Sequence, residues 1–170
     1  RSYAAGADPP EFFSVRIDLE IQFINGPIET IQAELIVVGI RKDNDEDLAN
    51  LDTIFGGQVA SWAKENRFTG AANSKLKFPV NGLLQCNMLL LVGLGKGSVD
   101  EVRAAAGHAG RTARTMGTSS MALCLGEHSE QEAQTVAEMA LAGNYTFDRF
   151  KKEANRRSGL DTILIMGAGD

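Results

Sequence analysis

The sequence predicts a three-layer α/β/α domain built on a mixed, mostly parallel sheet of about six strands. Three observations carry that expectation. Met88–Val92 is a continuous apolar run, closed by glycines at 93, 95 and 97, and too short for an ordinary helix; such a run is a strand buried on both faces. Glu34–Ile40 (ELIVVGI) is a second run of the same kind. Directly after the glycines, Ser98 and Glu101 have the spacing of a capping box, so strand, turn and helix follow one another as in α/β units.

In chain order, residues 1–13 carry Gly6, Pro9 and Pro10 and read as a loose arm, with one domain over 14–170. Arg1 is not an initiator Met, so the start is either processed or a cloning remnant. From Ser14 to Phe23 the pattern alternates, Val15, Ile17, Leu19, Ile21 and Phe23 against polar neighbours, which predicts a strand with one wet face near a sheet edge. Asn25-Gly26-Pro27 turns the chain. Arg41–Asp47 is a charged loop from which Asp45 or Asp47 is expected to cap a helix carrying Leu48, Leu51, Ile54 and Phe55. A further helical stretch holds Val59, Trp62 and Ala63. Lys75–Val80 is a short strand, and Pro79 places it at an edge or ends it.

The helix after Ser98 has an alanine-rich inner stripe, Val99, Val102, Ala106, Ala109, Ala113 and Met116, and Gly117 stops it. Ser120–Leu125 is a strand. Ser129 and Glu132 open a helix with Ala133, Val136, Ala137, Ala140 and Leu141 inward. The polar, basic Tyr145–Ser158 connects to a last strand at Leu160–Met166. Strand order is not legible from periodicity.

A chain of 170 residues with 44% hydrophobic and 23% charged residues can bury a proper core. Its net charge of −5 argues against an electrostatic nucleic-acid surface. No run is long enough to span a bilayer, and residues 1–30 do not read as a signal-peptide pattern. Cys86 and Cys124 sit in or beside apolar runs and read as reduced, buried thiols of a cytoplasmic protein.

The chemistry-bearing candidates are few. Gly93, Gly95, Lys96, Gly97 and Ser98 stand at a strand-to-helix turn where backbone N–H groups can cradle a phosphate. Neither the dinucleotide nor the P-loop spacing is met, and a structural turn needing φ > 0 is the favoured reading. His108 falls with Glu101, Arg111 and Thr115 on the outer helix face and reads as a solvated surface residue; His128 reads as an exposed loop residue. Cys86, His108, Cys124 and His128 lack zinc-site spacing. Asp43, Asp45, Glu46 and Asp47 read as a solvated loop rather than metal ligands. The basic residues Arg149, Lys151, Lys152, Arg156 and Arg157, with Phe147 and Phe150, read as a linker rather than a nucleic-acid surface. No catalytic residue and no metal ligand is assigned.

Several of these segments are similar, in unbroken order, to one family. LLLVGLGK (Leu89–Lys96), ELIVVGI (Glu34–Ile40), FTGAANSKLKFPV (Phe68–Val80), VRAAAGHAGR (Val102–Arg111) and LAGNYTFDRFK (Leu141–Lys151) resemble the N-terminal domain of the leucyl (cytosol) aminopeptidases. The resemblance implies a macro-domain-like fold. It also implies that the two divalent metals, zinc or manganese, and the catalytic lysine and arginine belong to a separate C-terminal domain. That domain's Asn-Thr-Asp-Ala-Glu-Gly-Arg motif is absent here. The implied role is a non-catalytic accessory domain, partnered with its own catalytic domain in a hexamer that removes N-terminal amino acids from peptides. The isolated chain is expected to be a monomer or weak dimer. The alternative is a stand-alone macro-like module binding a phosphate-bearing metabolite such as ADP-ribose through the Gly93–Ser98 turn. The strand end at Gly39–Lys42, where macro domains are acidic, is basic here. A third reading, DNA contact as in some family members, is opposed by the acidic balance.

Overall fold

The computed structural model describes residues 19–80, 82–145 and 159–167. Six strands form one sheet: β1 (Glu20–Ile24), β2 (Leu35–Arg41), β3 (Lys75–Phe78), β4 (Met88–Gly95), β5 (Ser120–Cys124) and β6 (Thr162–Met166). Their order is β1-β6-β5-β2-β4-β3. Every neighbouring pair is parallel except β3 with β4. Four helices complete the domain: α1 (Asp45–Phe55), α2 (Gln58–Glu65), α3 (Val99–Met116) and α4 (Glu130–Asn144). The mixed, mostly parallel α/β architecture is the expected one.

The two apolar runs are hydrogen-bonded neighbours at the sheet centre, Leu35 opposite Met88 through Ile40 opposite Gly93. Successive residues feed opposite faces, as the pleat requires. Leu35, Val37, Leu90 and Val92 join the core beneath α3 and α4, while Ile36, Ile40, Leu89 and Leu91 join the core beneath α1 and α2. Each fully buried aliphatic side chain contributes roughly 1.5–3 kcal/mol. No helix among the described residues is long and apolar enough to cross a membrane.

The helix ends follow the chemistry of their residues. Ser98 Oγ accepts from Glu101 N at 3.2 Å while Glu101 returns to Ser98 N, a full capping box. Gly117 closes α3 in the left-handed region. Ser129 Oγ accepts from Glu132 N at 3.2 Å and starts α4. At α1 the expectation fails: neither Asp45 nor Asp47 caps it. Asn44 does, its Oδ1 accepting from Asp47 N at 3.1 Å. Asp47 is held instead by Arg41, which donates from Nε at 3.0 Å and Nη2 at 2.9 Å.

β3 ends at Phe78, directly before Pro79, and is an edge strand. β1 is the other edge, but its apolar side is not buried: Ile21 is 39% and Phe23 47% exposed. Its registered neighbours on β6, Ile163 and Ile165, are covered by the α3/α4 core. Among the described elements that cover stops short of β1. The proposed arm at 1–13, the start of the alternating strand and the basic cluster at 149–157 lie outside the described residues.

Candidate functional site

A cavity of about 690 Å³ opens over the carboxyl ends of β2, β4 and β5. This is where open parallel sheets hold ligands, because the chain leaves the sheet there for helices that begin beside one another. Gly39 and Arg41 come from β2 and Leu94 from β4; Leu125 follows β5. Helix residues Val99, Val102 and Arg103 of α3 and Glu132 and Val136 of α4 close the sides.

His128 lines this cavity and is 6% exposed, which corrects the expectation of an exposed loop residue. The loop after β5 is drawn down by tertiary bonding, since His128 N donates to Gly167 O at 2.8 Å at the end of β6. Its Nε2 is buried without a hydrogen-bond partner among the described residues. Burial lowers the His128 pKa from its ordinary value, with Glu132 pulling the other way. Sequence reasoning missed this residue, and the one available signal was its place immediately before a helix cap.

The glycine turn borders the cavity at Leu94 and Gly97. Its N–H groups have internal acceptors: Gly95 N donates to Gly70 O at 2.9 Å and Gly97 N to Leu94 O at 2.8 Å. Lys96 N and Ser98 N both reach the Glu101 carboxylate, at 3.2 and 3.3 Å. The Ser98 hydroxyl, followed by these N–H groups and the Lys96 charge, holds the Glu101 carboxyl below its usual range. Gly95 and Gly97 have φ of +57° and +82°. At Gly93 a Cβ would run into Ala71 O, so this glycine admits the loop at residues 70–74 against β4.

His108 also departs from expectation, being half-buried rather than solvated. Arg111 Nη2 donates to its Nδ1 at 2.7 Å, so Nε2 carries the proton and donates to Asn73 Oδ1 at 3.0 Å. Burial, then the charges of Arg111 and Lys75, lower its pKa and keep this neutral form. The residue ties α3 to the turn at Asn73, whose φ is +65°.

Cys86 and Cys124 are free, and burial pushes the Cys124 thiol up to about 12. Among the described residues no group of three or more His, Cys, Asp or Glu side chains is placed to hold a metal ion. Nothing among the described residues fits the two divalent metals, which the family resemblance assigns to a separate domain.

Sheet order, helix placement and the cavity at the strand ends define a macrodomain-like α/β domain. The macrodomain of Mycobacterium tuberculosis DarG superposes with a TM-score of 0.57 at 9% identity, over 86% of this chain and 97% of that one. A tomato leucine aminopeptidase mutant superposes with a TM-score of 0.73 at 18% identity, over 89% of this chain and 33% of that one. Residues 37–154 match the family model of the cytosol aminopeptidase family, N-terminal domain. The chain belongs to that family as its N-terminal domain. It is 30% identical over 148 residues to a probable cytosol aminopeptidase of Geobacter sp. (strain M21), covering 84% of this chain and 30% of the relative. A probable cytosol aminopeptidase of Trichormus variabilis is 26% identical over 159 residues, covering 88% and 32%. The chain thus spans about a third of the length of the curated relatives it matches.

Proposed function

We propose that this chain serves as the non-catalytic accessory domain of a metal-dependent leucyl aminopeptidase. Its partner is that enzyme's own catalytic domain, which carries the two metals and removes N-terminal residues from peptides in the cytoplasm. The observation that carries the reading is the family match over residues 37–154. It is joined by the lack, among the described residues, of any cluster able to hold a metal. One domain over 14–170 with an arm at 1–13 fits the same picture. Assembly into a hexamer belongs to the longer enzyme. The isolated chain is a monomer, or a weak dimer joined through the open β1 edge, without membrane or nucleic-acid partners.

The Gly93–Ser98 turn is structural in this reading. What supports that is the internal use of its N–H groups, so that a phosphate would have to displace the Glu101 carboxylate.

The test is hydrolysis of leucine amide by the purified chain with added zinc or manganese. No turnover above the chelated control is expected; chelator-sensitive turnover overturns the proposal. Light scattering at micromolar concentration is expected to give the monomer mass of 18.2 kDa. A stable hexamer would move the assembly contacts into this domain.

A further inference from the structure

The cavity over β2, β4 and β5 combines three features that folding alone does not call for. Part of its lining is apolar: Leu94, Val99, Val102, Leu125 and Val136. Charges of both signs stand around it: Arg103 from α3, Glu132 from α4 and Glu127 from the loop after β5. His128 lines it with a buried Nε2 that lacks a partner among the described residues. Leaving a buried polar atom unpaired is costly, so this nitrogen marks a place where a ligand can supply the missing bond.

The charges decide what kind of ligand. Arg41 is engaged by Asp47, and neither Glu127 nor Glu132 has an ion-pair partner among the described residues. Among the described residues Arg103 meets exposed Asp100 alone, at 3.9 Å, and its guanidinium stays available. Three carboxylates against two arginines, one of them neutralised, do not suit a diphosphate. The N–H groups of the neighbouring turn are spent internally. An ammonium group suits Glu127, Glu132 and a neutral imidazole; a carboxylate suits Arg103. A volume of about 690 Å³ exceeds what one amino acid fills and lies in the usual range for small-ligand sites.

We propose that this cavity binds a short zwitterionic peptide bearing an aliphatic side chain. The ammonium group lies against Glu127, Glu132 and His128 Nε2. The aliphatic side chain packs on Val102, Leu125 and Val136, and the carboxylate faces Arg103. The proposal rests on the cavity's own chemistry and not on the accessory role, and each can fail without the other.

Titration of the isotope-labelled chain with L-leucyl-L-leucine, followed by NMR, tests it. Saturable shifts are expected at His128, Val102 and Val136. N-acetyl-L-leucyl-L-leucine, which has lost the ammonium, is expected to bind at least tenfold more weakly. Arg103→Ala and Glu132→Gln, both at exposed positions, should each weaken the dipeptide about tenfold while leaving the spectrum of the free chain intact. His128→Gln should do the same; if it lowers the thermal midpoint, the two exposed variants carry the test. The proposal is overturned if millimolar dipeptide leaves these resonances unmoved or the acetylated peptide binds equally well. It is likewise overturned if ADP-ribose shifts the same resonances and the dipeptide does not.

Discussion

The two faces of the sheet are packed by opposite means. Over one face α3 and α4 meet through Gly107, Gly110, Ala140 and Gly143, so closely that the backbones themselves are in contact distance. A Cβ on Gly110 would run into the Ala140 carbonyl, and one on Gly143 into that of Gly107. Over the other face α1 and α2 rest on large side chains. Phe55 meets Phe78 edge-on at 5.0 Å and 78°, and Trp62 meets Phe78 at 6.3 Å and 77°. One interface is built from the absence of side chains and the other from their bulk. The first should be broken by enlargement and the second by truncation, because close-packed interiors penalise both overfilling and cavities.

The largest expected effect is on the aromatic face. Phe55→Ala should cost about 3–5 kcal/mol in urea unfolding, since it removes a fully buried ring and its edge-on partner contact. Phe55→Leu should recover a substantial part of that loss. An equal loss in both variants would mean that ring geometry, not filled volume, holds this side together.

Next comes the helix crossing. Gly110→Ala should cost roughly 1–3 kcal/mol, although the same change in an ordinary helix stabilises it. Because the obstacle is the Ala140 carbonyl and not its methyl group, adding Ala140→Gly should not rescue the loss. Rescue by the double variant would show that side chains, not backbones, set the helix separation.

A comparable or smaller loss is expected at the turn. Gly95→Ala forces a side chain into φ of +57° and onto the Glu101 carboxylate, and should cost roughly 1–3 kcal/mol. Thermal unfolding with and without Glu101→Ala separates the two causes. If the turn is purely structural, the variant has no nucleotide affinity to lose, and amide shifts on adding ADP-ribose should be absent in both forms.

The smallest effect concerns the ion pair beside α1. Hydrogen bonding by Arg41 holds the Asp47 carboxyl below its ordinary value. A depressed carboxyl stabilises the fold above its unfolded value of about 3.9, and that contribution is lost as pH falls through the lower folded value. Asp47→Asn should therefore leave the acid limb of the stability curve flatter, by less than about 1 kcal/mol for a solvent-screened pair. An unchanged acid limb would remove Asp47 from the account.

Much of this contrast is written locally. The two-sided runs at Glu34–Ile40 and Met88–Val92 declare central strands, because a strand wet on neither side needs no alternation. Ser98 with Glu101, and Gly117, mark both ends of α3 through bonds made within a few residues. The alanine stripe announces a close helix approach, and the ordered run of segments from Glu34 to Lys151 carries the family. Less legible were the caps and loops in which several polar residues compete. Asp45 and Asp47 both suit an N-terminus, yet Arg41 claims Asp47 and Asn44 makes the cap.

Other features were decided only in three dimensions. Strand order depends on which crossovers close, and periodicity within a strand holds no information about its neighbour. His128 sits in a stretch that reads as solvent-exposed, yet one backbone bond to Gly167, just after the last strand, takes it under cover. Ile21 and Phe23 have the spacing of inward residues but remain exposed, since burial needs a partner layer and the α3/α4 core reaches β6 without covering β1. The cavity belongs to this second group. Its walls come from β2, β4, α3, α4 and the loop after β5, segments separated along the chain and brought together only by the sheet. Local sequence specifies each element and the faces it must bury. Which elements meet, and what stands in the space between them, follows from packing across the whole chain.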